Sequence, residues 1–190
     1  LAHADMMPQM GGPMKHVMVH LHGTHVEGHV DGSIATPELK NYGDTYSGNA
    51  SVLNGKFYNA QYGWMKDGIW AAPAGAKVWI EQLSATAGLL SYRGGMMSNM
   101  GSHTFAGIFG TDGSSSRIEW NGSMLHNWYA ATAVGDYTAT YRIYFGDDQG
   151  VAIDGYGAGE VTVNWTVVPA PGAAAALGLA GLAIARRRRF

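Results

Sequence analysis

Residues 14–31 read Met-Lys-His-Val-Met-Val-His-Leu-His-Gly-Thr-His-Val-Glu-Gly-His-Val-Asp. They hold five of the chain's eight histidines: His16, His20, His22, His25 and His29. Neutral imidazole is a ligand for both zinc and copper, and Glu27 and Asp31 add carboxylates suited to harder ions. His20 and His22 are two residues apart. On a strand that spacing puts both rings on one face, about 6–7 Å apart and within reach of one ion. Zinc takes four ligands in a tetrahedron, with histidine nitrogens at about 2.0–2.1 Å, so further ligands must come from elsewhere. His126, in Met124-Leu125-His126-Asn127-Trp128, is the first distant candidate and His103 the second. The alternative for His126 is a hydrogen-bonded core or edge histidine, and for His103 a loop histidine. His25 and His29 lie past Gly23 and form a looser, auxiliary set. Every coordinating ring needs its other nitrogen paired to an outer partner.

Copper is the rival ion. Cu(II) binds nitrogen and oxygen sites more tightly than zinc, and thioethers suit Cu(I). The chain has ten methionines, with Met96, Met97 and Met100 close together. Other chemistries have weaker support. Asp147-Asp148-x-Gly150 and Asp112-Gly113 contain oxygen ligands but no calcium-loop motif, and read as turns. No glycine pair precedes a helix, so no phosphate loop is present. No nucleophile elbow surrounds Ser114–Ser116, and the chain is not expected to be an enzyme. The absence of cysteine removes disulfides, thiolate metal sites and a thiol nucleophile. The formal net charge is -2, and four of the twelve basic residues are clustered at Arg186–Arg189, so the body has no basic surface for nucleic acid. Trp64, Trp70, Trp120, Trp128 and Tyr156 offer an alternative function: an aromatic face for carbohydrate in an extracellular matrix or adhesive module.

These residues must be positioned by β structure. The 28 glycines, 10 tyrosines and 6 tryptophans point to many turns and aromatic-rich strands. Residues 15–22 alternate, with Val17, Val19 and Leu21 on one face and His16, Met18, His20 and His22 on the other. A hairpin is expected around Asn54-Gly55, joining Ala50–Leu53 to Lys56–Trp64. Further strands are expected at 76–84, His103–Phe109, Ser116–Trp120, Leu125–Ala131, Tyr137–Phe145 and Glu160–Val168, with 32–48 and 87–101 as loops. Eight to ten short strands separated by glycine turns predict an all-β fold, an antiparallel β-sandwich or jelly roll. The domain spans 14–168. Residues 1–13 read as a signal-peptide remnant, from Ala2-His3-Ala4, followed by a flexible Met/Gly/Pro leader.

Residues 169–190 are a separate object. Pro169 and Pro171 stop the last strand. Ala173–Ala185 is an unbroken small and apolar run, followed by Arg186, Arg187, Arg188 and Arg189. A helix over that run rises about 1.5 Å per residue and crosses only about 20 Å of a hydrocarbon core near 30 Å. The terminal arginines fit retention on the cytoplasmic side.

The Val168-Pro169-Ala170-Pro171 element, the apolar run and the arginine cluster resemble the PEP-CTERM sorting signal, with Ala170 where that family typically has Glu. The body resembles the PEP-CTERM proteins repressed by the zinc-uptake regulator. That likeness is carried by Val19-His20-Leu21-His22, Tyr62–Trp70, Val78–Glu81, Ile108–Ser115, His126–Tyr129, Tyr137–Gly146, Gly155–Gly157 and Val161–Trp165. The resemblance implies recognition by an exosortase-type enzyme, transient inner-membrane contact through the C-terminal helix, and delivery to the cell surface or extracellular matrix, with surface polysaccharide as a neighbour. It implies a protein made when zinc is scarce and tips the expected ion toward Zn2+, for capture or storage, with Cu as the alternative.

Overall fold

The computed structural model describes residues 7–168. Residues 1–6, and with them most of the signal-peptide remnant, lie outside the described residues. So does the expected sorting tail at 169–190 with its apolar helix.

Among the described residues the fold is all-β, with ten strands in two sheets. The first sheet holds β1 (Lys15–His22), β2 (His25–Val30), β3 (Phe57–Asn59), β4 (Tyr62–Lys66), β6 (Leu90–Gly95) and β8 (Leu125–Ala131). Its order is β2-β1-β4-β8-β3, with β6 also paired to β8. The second sheet holds β5 (Lys77–Ala85), β7 (Arg117–Trp120), β9 (Gly135–Gly146) and β10 (Gly159–Val167), in the order β10-β9-β5-β7.

The two sheets face each other across one aromatic core. Val17 and Val19 of β1 are fully buried, as their alternation predicts. Trp64 meets Tyr141 of the opposite sheet edge-on at 5.3 Å, and Tyr62 and Tyr129 both pack on Trp165. Rings offset in this way bury large apolar area and add quadrupole attraction.

One pairing departs from an all-antiparallel sandwich: β1 runs parallel to β4, with His16 opposite Gly63 and Met18 opposite Met65. A parallel pair needs a long crossover, and the chain supplies one by passing through β2, the 31–56 segment and β3 before it returns.

Several local expectations are corrected. Gly48–Leu53 is a 3-10 turn, not a strand, so no hairpin forms at Asn54-Gly55. Asn54 instead uses its side chain to accept from the Tyr46 amide and donate to the Tyr46 carbonyl. Leu90–Gly95 is a strand within the expected 87–101 loop, and 103–109 is irregular, with Phe105 and Phe109 at positive φ. Residues 8–13 of the leader lie against the domain. Pro8 is buried, the Ala60 amide donates to the Met10 carbonyl, and Gln61 Nε2 donates to the Pro13 carbonyl.

The outer face of the first sheet is divided in two. Over β3, β6 and β8 a second apolar cluster forms from Tyr46, Leu53, Tyr58, Ala60, Tyr92, Phe105, Trp128 and Ala130. Over β1, β2 and β4 the same face carries the histidines.

Candidate metal centre

β1 and β2 form a tight hairpin with His22 opposite His25, His20 opposite Glu27 and Met18 opposite His29. Its two-residue turn, Gly23-Thr24, starts with Gly23 at φ 64°, which a side-chain-bearing residue rarely adopts. This register follows from burying Val17, Val19 and Val26. A slip of one residue would send the histidines into the core.

On the outer face, the ligand atoms of His20, His29 and Asp67 all lie within 4.8 Å of one another. His20 comes from the middle of β1 and His29 from the facing strand. Asp67 follows the last residue of β4, beside β1. Its amide donates to the Val19 carbonyl at 2.7 Å, and Trp70 Nε1 donates to the same carbonyl at 3.0 Å. Lys66 lies over the Trp70 ring at 4.7 Å. The 66–70 turn is therefore tied to the strand that carries His20.

His20 is half-buried and its Nε2 stands 2.9 Å from Glu27 Oε2. Its other nitrogen, Nδ1, is buried without a hydrogen-bond partner among the described residues. One nitrogen is thus held by a carboxylate and the other is left as an unused lone pair. That is the carboxylate–imidazole arrangement that orients metal-binding histidines and raises their basicity.

The expected residues are distributed differently from the His20–His22 chelate read in the sequence. His22 is at the strand end, its side chain 85% exposed, and it reaches Glu27 at 3.8 Å. It stands beside the group, with Glu27 between it and His20. His25 lies over Gly157 in an isolated parallel bridge toward the 155–158 loop. His29 joins the group. Asp67 was not singled out by the sequence, because strand alternation says nothing about which turn ends beside β1.

The two distant histidines sit under the aromatic half of the sheet. His103 is buried and both of its nitrogens are occupied. Nδ1 accepts from Trp128 Nε1 at 2.9 Å, and Nε2 is 3.2 Å from the Met96 carbonyl. Burial holds its pKa below the ordinary histidine value, despite the opposing effect of the Met96 carbonyl. Its ring is a structural polar link rather than a ligand of the His20 group. His126 is fully buried on β8, with Nδ1 2.7 Å from the Ala60 carbonyl. It too lies outside the His20–His29–Asp67 group.

The soft-ligand cluster expected at 96–100 is largely spent on packing. Met97 and Met100 cover the second apolar cluster, and Met96 is half exposed. Asp147 Oδ1 accepts from the Gln149 and Val151 amides, as a turn-forming aspartate does. Trp64, Trp120 and Trp128 are buried and Trp70 is partly buried against the core, so these tryptophans form no open platform for sugar. Comparison of the chain with protein-family models, with curated proteins and with solved structures gives no match.

Proposed function

We propose that this domain binds a divalent metal ion, zinc first, through His20, His29 and Asp67, with Glu27 orienting His20. The observation that carries the reading is the convergence of those three side chains within 4.8 Å on a face whose hydrogen bonds leave His20 Nδ1 free. Three protein ligands leave a fourth position of a zinc tetrahedron to water or an incoming ligand. Such a site loads and unloads more easily than a closed four-residue site, which suits capture or storage. We infer from the resemblance of the tail to a sorting signal that this capture takes place outside the cytoplasm, at a cell surface or in an extracellular matrix.

The test uses full-length protein purified without a metal-affinity step. Elemental analysis should find close to one zinc per chain, and a His20→Ala/His29→Ala variant should lose tight zinc binding while keeping its β-sheet circular dichroism. Zinc content and affinity equal to wild type in the folded double variant would exclude this site.

A further inference from the structure

A second group of metal-capable side chains lies on the same sheet face, one strand pair further in, and none of it belongs to the His20 group. Its centre is Gly63 on β4. Gly63 pairs with His16 of β1 on one side and with His126 of β8 on the other. His126 leans across it: a Cβ built on Gly63 would stand 2.6 Å from His126 Nε2 and 2.7 Å from Cε1. The ring therefore occupies the space that a side chain at 63 would fill, and Nε2 projects off β8 toward β1. Adjacent strands are only about 4.8 Å apart, so Nε2 above β4 is close to the base of His16. The proximity has an electrostatic trace. The His126 pKa is held down first by burial, against the Ala60 carbonyl, and then further by the His16 and His103 rings.

The hydrogen bonding is what makes this pair unusual. His126 Nδ1 donates to the Ala60 carbonyl, which leaves Nε2 as the bare lone pair. Among the described residues that Nε2 has no partner, and neither does His16 Nε2, although both atoms are buried from solvent. Buried polar atoms are normally satisfied, and two orphaned imidazole nitrogens on either side of one glycine call for a shared ligand.

One pleat further along, still on this face, the register aligns Met18 with Met65. Met18 is also opposite His29. Both methionines are half-buried.

We propose that His16 Nε2 and His126 Nε2, with thioether sulfur from the Met18–Met65 pair, form a buried binding site for monovalent copper. Imidazole plus thioether is a soft donor set that suits Cu(I). Every donor in the set is neutral. The cost of burying an ion grows with the square of its charge, so an uncharged, desolvated set favours a monovalent over a divalent ion. The more open His20–His29–Asp67 group, with the Asp67 carboxylate and Glu27 beside it, has the opposite preference.

The test starts from full-length His20→Ala/His29→Ala protein, so that the outer group does not contribute. Anaerobic titration with Cu(I) against a chromophoric Cu(I) chelator should show one submicromolar equivalent, not displaced by excess zinc. X-ray absorption at the copper edge should show both sulfur and imidazole scattering. His16→Gln, and Met18→Leu with Met65→Leu, should each weaken binding by at least the roughly tenfold that loss of even an outer-shell partner costs. The Leu replacements are close in volume to Met and keep the fold, which an unchanged urea midpoint would verify. Absence of Cu(I) binding in the starting variant would mean the two nitrogens share only an ordered water, and would overturn the proposal. So would binding that survives all three replacements, or a copper spectrum without sulfur.

Discussion

Replacing Gly63 with alanine probes the geometry on which the inner histidine pair depends. The added methyl carbon would lie 2.6 Å from His126 Nε2, and an ordinary contact begins at 3.4 Å, so the ring must retreat by at least 0.8 Å. It has little room to do so. His126 is fully buried, and its Nδ1 is 2.7 Å from the Ala60 carbonyl. A retreat of that size stretches the bond beyond hydrogen-bonding distance. Overpacking a core costs about 1–3 kcal/mol, and losing one net hydrogen bond about 0.5–1.5 kcal/mol. Gly63→Ala should therefore destabilise the domain by roughly 2–4 kcal/mol, or about 5–15 °C in Tm for a domain of this size. The assay is urea unfolding of Gly63→Ala, His126→Ala and the double variant. Once the ring is gone the methyl has nothing to strike, so the double variant should be more stable than the two single effects sum to, by about 1–3 kcal/mol. A Gly63→Ala variant within about 0.5 kcal/mol of wild type, as for an ordinary surface change, would refute the placement of His126 over Gly63. Strict additivity in the cycle would refute it equally.

Two further outcomes follow from the site geometry. Glu27→Gln keeps the shape of the side chain but loses the charge beside His20 Nε2, so zinc affinity should fall about 10–100-fold with the fold intact; an unchanged affinity in a competition titration would remove Glu27 from the site. Burial lowers the His103 pKa below its unfolded value, so its contribution to stability is complete above about pH 6.5 and is lost as pH falls below that, when only the unfolded chain takes up the proton. The loss reaches at most about 1.4 kcal/mol per pH unit for one such ring. Metal-free protein should show a falling urea midpoint between pH 7 and 5, with a shallower fall in His103→Asn. A midpoint that is flat or rises on acidification would contradict the neutral, doubly hydrogen-bonded ring.

What could be read without coordinates was whatever local pattern dictates. Alternation of Val17, Val19 and Leu21 with His16, Met18, His20 and His22 is a property of eight consecutive residues, and a strand has only two faces. The all-β class, β1, the strands near 77–85, 125–131, 135–146 and 159–167, and a histidine-bearing outer face follow from such patterns. Local pattern failed where side-chain hydrogen bonds outcompeted it. Asn54-Gly55 has a hairpin signature, yet the Asn54 amide is engaged by the Tyr46 backbone and the preceding residues wind into a 3-10 turn.

Which ligands converge was a different kind of question, because strand order is set by long-range pairing that no local period records. The parallel return of β4 beside β1 put Asp67 next to His20, set Gly63 between His16 and His126, and lined up Met18 with Met65. The aromatic cover contributed by 42–53 and 96–105 then decided the fate of the distant histidines, closing both His103 nitrogens in hydrogen bonds while leaving His126 Nε2 without a partner among the described residues. The residue types dictated that this protein carries metal-capable side chains on a β-strand face. Only the packing of strands far apart in the chain decided which of those side chains share a site.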